Sequence, residues 1–78
     1  MRIVIENLPK DASEEKIREA LSRWGHVGEI KLITEGSAPA TIVEVDSRQQ
    51  ADLLVRRING HFYEGRELAA WVPHWSNE

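Results

Sequence analysis

Few residues in this chain have types and spacing that suggest chemistry. Its three histidines, His26, His61 and His74, lack the close ligand spacing of a metal site, and the absence of cysteine removes any thiolate ligand or nucleophile. No Ser-His-Asp arrangement and no phosphate-cradling glycine motif can be picked out. What remains is a set of flat rings and cations. Trp71 and Trp75 stand four residues apart around Pro73 and His74, while Arg2 and Lys31 sit in strand-like runs. Rings and cations serve noncovalent recognition rather than bond making, so the chain is expected not to be an enzyme and to need no cofactor or metal.

These residues are carried by a 78-residue chain that is 41% hydrophobic and 29% charged, the composition of an ordinary soluble globular domain with room for one core. Ten Lys and Arg against thirteen Asp and Glu give a formal charge of −3, which opposes phosphate-driven binding by an evenly charged surface. A local cluster of cations would still act at short range, because salt screens beyond about 8–10 Å. Met1-Arg2 leads straight into a strand-like run, so neither a signal peptide nor a membrane span is expected, and the absence of cysteine is compatible with a reducing cytoplasm. The expected setting is cytoplasmic or nuclear.

The spacing of apolar residues predicts strand, helix, strand, strand, helix, strand. Arg2 to Asn7 alternates, with Ile3 and Ile5 on one face, and Pro9 closes the run. Ser13 is placed to cap a helix whose Ile17, Ala20, Leu21 and Trp24 recur at helical spacing before Gly25 stops it. A second strand is expected over Val27–Thr34, with Ile30 and Leu32 inward, and the Glu35–Pro39 turn leads to a third over Ala40–Val45. Asp46 or Ser47 can cap a second helix with the stripe Ala51, Leu54, Val55 and Ile58, which ends at Asn59-Gly60. Leu68, Ala70 and Val72 alternate inward on a last strand. Residues 1–73 form the expected domain and 74–78 a short C-terminal tail.

This order predicts an α+β, ferredoxin-like βαββαβ fold. Right-handed crossovers put both helices on one face of a four-stranded antiparallel sheet, with the first and third strands central. The local sequences point further. Ile3-Val4-Ile5-Glu6-Asn7-Leu8, Trp24-Gly25, Ile58-Asn59-Gly60 and Gly65-Arg66-Glu67-Leu68, in this order over about seventy residues, resemble the RNA recognition motif family. The departures fall in the two ribonucleoprotein motifs. Val4 holds an aromatic place in the first strand; Ala40 and Ile42 hold the exposed aromatic places of Ala38–Val45, and Ala38 its basic place. The fold also serves acylphosphatases, but Asn7-Leu8-Pro9-Lys10-Asp11 is not their glycine-rich anion loop.

The resemblance implies single-stranded RNA as the ligand and the open sheet face as its site. By alternation that face carries Val4, Ile33, Ala40, Ile42 and Ala69, the cations Arg2 and Lys31, and the carboxylates Glu6, Glu29, Glu44 and Glu67. Trp71, flanked by inward Ala70 and Val72, is its single ring. Each base stacked on an aromatic contributes about 1–3 kcal/mol, so a face lacking three such rings implies atypical, weak binding. The expected RNA-binding residues are Arg2, Val4, Lys31, Ile42, Trp71 and Trp75, with Trp71 and Trp75 forming a displaced stacking platform. The alternative is a protein-interaction module, a homodimer included, that uses the apolar sheet face; in a third arrangement the tail folds back over Val4, Ile33 and Ile42. Trp24, on the helix stripe, reads as core, and Tyr63 as the residue that closes the loop before the last strand.

Overall fold

The computed structural model describes residues 1–74. Strand β1 (Arg2–Glu6) leads to helix α1 (Glu14–Leu21), and β2 (Ile30–Ile33) and β3 (Ala40–Glu44) precede helix α2 (Arg48–Ile58). Two short strands, β4 (Phe62–Tyr63) and β5 (Arg66–Glu67), form a separate hairpin ahead of β6 (Ala69–Trp71). The sheet order is β2-β3-β1-β6 with every neighbour antiparallel, so the first and third strands are central as expected. The fold is the ferredoxin-like arrangement predicted from the order of elements. No described helix is long and apolar enough to cross a membrane.

Alternation along β1 and β3 builds the core. Ile3 and Val43 are fully buried and paired in register, with Ile5 beside them and Leu54, Ile58, Ile17 and Leu21 of the helices closing over that face. Thr41 is buried in the same layer, and its hydroxyl donates to the Lys31 carbonyl at 2.9 Å, which removes the cost of an unpaired polar group.

Both helices start where a hydroxyl can satisfy a free backbone N–H. Ser13 Oγ accepts from Lys16 N at 3.2 Å, and Ser47, not Asp46, caps α2 by accepting from Gln50 N at 3.1 Å. Gln50 then ties this end of α2 to the loop after α1, since its Nε2 donates to the His26 carbonyl at 2.6 Å. At the adjacent Gly25, φ is 136°, a backbone conformation that calls for glycine.

Two predicted elements are three residues shorter at one end than expected. Helix α1 ends at Leu21 and tightens into a 3₁₀ turn over Ser22–Trp24. Strand β2 begins at Ile30, not Val27, for a specific reason. Gly28 N donates to Glu44 O at 2.7 Å while Glu44 N donates to Glu29 O at 2.9 Å, so two residues oppose one, the pattern of a β-bulge. Arg18 secures the bulged segment, donating to the carbonyls of Val27 at 3.1 Å and Gly28 at 2.9 Å. Leu32, expected inward, is only half-buried at the sheet edge, where it packs on the rim of the core.

Two asparagines hold the remaining ends together. Asn7, in the left-handed region at φ 69°, donates from Nδ2 to the Glu67 carbonyl at 2.9 Å and accepts from Arg66 at 3.0 Å. Asn59 accepts from Ala70 N at 3.1 Å, fixing the exit of α2 against β6. These contacts give the Asn7-Leu8, Asn59-Gly60 and Gly65-Arg66 pairs their roles: Asn7 ties the end of β1 to Arg66 and Glu67 of β5, and Asn59 ties the exit of α2 to Ala70 of β6.

Candidate nucleic-acid interface

Strand register assembles the open face. Lys31 pairs with Ile42, Ile42 with Val4, and Val4 with Trp71, so four of the six expected binding residues form one row across all four strands. With adjacent strands about 4.8 Å apart, this row is roughly 14 Å long, cationic at the β2 edge and aromatic at the β6 edge. Val4 and Ile42 are half-buried, and Trp71 is 40% exposed. The ring is therefore anchored at its base and open to solvent.

Arg2 lies one row away, paired with Glu44. Together with Glu29, Lys31 and Ile42 these residues border an open depression of roughly 290 Å³ that mixes both charges. On the opposite side of the central row, Ile33 pairs with Ala40 and Glu6 with Ala69. Trp75, the sixth expected residue, and the platform it was to form with Trp71 lie outside the described residues. His74 is exposed.

One residue assigned to this face belongs elsewhere. The β4–β5 hairpin interrupts the alternation of the last strand, and the Glu67 carboxylate lies 3.8 Å from the position of a Cβ on Gly60, at the exit of α2. Of the four carboxylates expected on this face, Glu6, Glu29 and Glu44 remain there. The turn before β3 was read only as a connection, yet Glu35, Ser37 and Ala38 line the face beside Ile33. The signal was its position directly after an outward-facing residue of an edge strand.

The other rings sit apart from this row. Trp24 packs against the core and meets His61 edge-on, with ring centroids 6.4 Å apart, while the Arg23 guanidinium lies 5.5 Å from its centroid. Tyr63 also packs on the core, and Phe62, two-thirds exposed, points away from it. Among the described residues no group of three His, Asp or Glu is arranged to hold a metal ion.

The arrangement offers one stacking surface, an aliphatic floor and cations at one edge. Comparison with known proteins gives this geometry its context. The human protein "Myelin expression factor 2" is 36% identical over 69 residues, which cover 86% of this chain and 12% of that protein's length. The chain thus spans about 12% of that relative. A solved structure of the Rna15 RNA recognition motif with bound RNA (GU) superposes with a TM-score of 0.84 at 21% identity, covering 99% of this chain and 86% of the other. The NONO-1 homodimer of C. elegans contains a domain that superposes with a TM-score of 0.79 at 26% identity, covering 90% of this chain and 27% of that one. The sequence pattern of the RNA recognition motif itself matches residues 3–69, and the chain belongs to that family.

Proposed function

We propose that this domain binds single-stranded RNA weakly, across the row formed by Lys31, Ile42, Val4 and Trp71, with Arg2 at its flank. Domains of this family generally bind RNA and are not enzymes. The observation that carries the reading is Trp71, an exposed ring in register with Val4, the position where the family places a stacking aromatic. One base stacks on Trp71, neighbouring bases cover Val4 and Ile42 without a ring beneath them, and Lys31 meets a phosphate. With one ring in place of several, affinity falls well below that of a fully aromatic face.

The test is a titration of short single-stranded RNA with backbone amide shifts as the readout. Saturable shifts centred on Val4, Lys31, Ile42 and Trp71 are expected, and Trp71→Ala should weaken binding by about 1–3 kcal/mol while the melting temperature holds.

A second reading rests on the same face. Val4, Ile33, Ala40, Ile42 and Ala69 form a contiguous aliphatic surface, half-buried within the monomer, of the kind that meets a protein or a second copy of the domain. On that reading RNA produces no saturable shifts, and the same amides respond to protein concentration or to a protein partner.

A further inference from the structure

The two flanks of the Lys31–Trp71 row differ in charge. One, with Arg2 and Lys31 beside Glu29 and Glu44, is mixed. The other drops at Ala40 and Ala69 into an open depression of roughly 420 Å³, rimmed by Val4, Glu6, Ile33, Glu35 and Ser37. No Lys or Arg lines it. The amide of Asn7 at its margin is engaged at both ends, by the Glu67 carbonyl and by Arg66. Carboxylates facing an uncharged floor repel phosphate, so this depression suits a base rather than the backbone. Glu6 is two residues along β1 from Val4, the partner of Trp71, and so lies diagonal to the ring, about 7–8 Å between strands. A base resting beside Trp71 has its edge within reach of that carboxylate.

We propose that Glu6 makes this depression a base-reading site that selects guanine. An ionised carboxylate only accepts hydrogen bonds. The Watson–Crick edge of guanine presents two adjacent donors, N1–H and N2–H, which match the two carboxylate oxygens. Adenine and cytosine each offer one amino donor beside an acceptor nitrogen. Uracil places a single N–H between two carbonyls, both of which the carboxylate repels. The order of preference is therefore guanine, then adenine and cytosine, then uracil. The inference rests on the RNA-binding reading above and adds to it the identity of the base.

The experiment uses fluorescence anisotropy with labelled single strands that are identical except for one central base: guanine, inosine, cytosine or uracil. Guanine should bind about tenfold more tightly than uracil, the discrimination expected of one bidentate pair. Inosine, which lacks the N2 amino group, should fall between them. Glu6→Gln should bring the guanine-to-uracil ratio toward one, while Trp71→Ala should weaken both strands alike. Because Glu6 is exposed, Glu6→Gln should retain the parent melting curve, which circular dichroism checks. A parent ratio near one overturns the inference. So does uniform tightening on all four strands in Glu6→Gln, since the carboxylate would then merely repel phosphate. In either case, continued loss of affinity in Trp71→Ala leaves the RNA-binding reading standing. Absence of saturable binding to every strand overturns both.

Discussion

The two faces of the sheet are made by the same strands and obey different rules. On the helix-covered face Ile3, Ile5, Thr41, Val43 and Ala70 are buried, and the four apolar ones share one core with Ile17 and Leu21 of α1 and Leu54 and Ile58 of α2. On the open face their chain neighbours Val4, Ile42, Ala40, Ala69 and Trp71 are half-buried or exposed. Because side chains alternate every residue, the inner set defines the fold while the outer set is free to change. The family's stacking places, at Val4, Ala40 and Ile42, lie wholly in the outer set. Aliphatic residues at Val4 and Ile42 and alanine at Ala40 therefore alter what the face can bind without altering the architecture.

The largest expected effect comes from breaking the inner face. Val43→Asp would bury an unpaired carboxylate at a position with no exposure, at a cost of several kcal/mol against a total stability of about 5–15 kcal/mol. The domain should be unfolded at room temperature by circular dichroism; a parent-like melt would overturn the assignment of inner and outer sets. The outer face should behave in the opposite way. Val4→Tyr combined with Ile42→Phe restores two rings and should raise RNA affinity by about 1–3 kcal/mol per base stacked, with melting temperature nearly unchanged. Equal affinity in the double variant would mean that RNA does not lie across this row.

Much of the inner face was legible in the sequence because its signals are local. Alternating Ile3 and Ile5, the hydroxyls at Ser13 and Ser47, and the stop at Gly25 each act within a few residues. The illegible features depend on distant partners. The late start of β2 arises from two backbone bonds to Glu44, a residue on another strand. Glu67 left the open face because a hairpin of two-residue strands interrupts the alternation that would have placed it there. The site was legible as a list and not as an arrangement. Lys31 and Trp71 are forty residues apart in sequence, and only the β2-β3-β1-β6 register sets them at opposite ends of one row.

The joints between the faces should respond more modestly. Asn59→Ala leaves the partly buried Ala70 N–H without its acceptor, which costs about 1–3 kcal/mol and should appear as a lower urea midpoint with an unchanged slope. A midpoint equal to the parent's would show that another group serves Ala70.

The smallest effect concerns the Asp11–Lys16 pair, 2.8 Å apart and exposed on both sides. The hydrogen bond and charge of Lys16 hold the Asp11 carboxyl below its usual range, and Asp11 raises the Lys16 ammonium in return. A depressed carboxyl stabilises the fold above its unfolded pKa, and the gain is lost as pH falls through the folded value; a raised ammonium stabilises below its unfolded pKa, with the gain lost as pH rises through its folded value. Asp11→Asn should therefore lower the melting temperature slightly at neutral pH and not at all in strong acid. A difference that persists below both carboxyl pKa values would show that the change acts through something other than this pair.

RNA binding by the open face, and by Trp71 in particular, is proposed to use few phosphate contacts. The most direct measurement is the affinity of the parent and of Trp71→Ala for one short RNA over a range of salt concentrations. A shallow log–log slope, about −2 or flatter, is expected, consistent with no more than two or three phosphates engaged. A loss of about 1–3 kcal/mol in Trp71→Ala, the same at every salt concentration, is also expected, because stacking is not ionic. A slope near −5, or equal affinity in the two proteins, would place RNA binding on another surface.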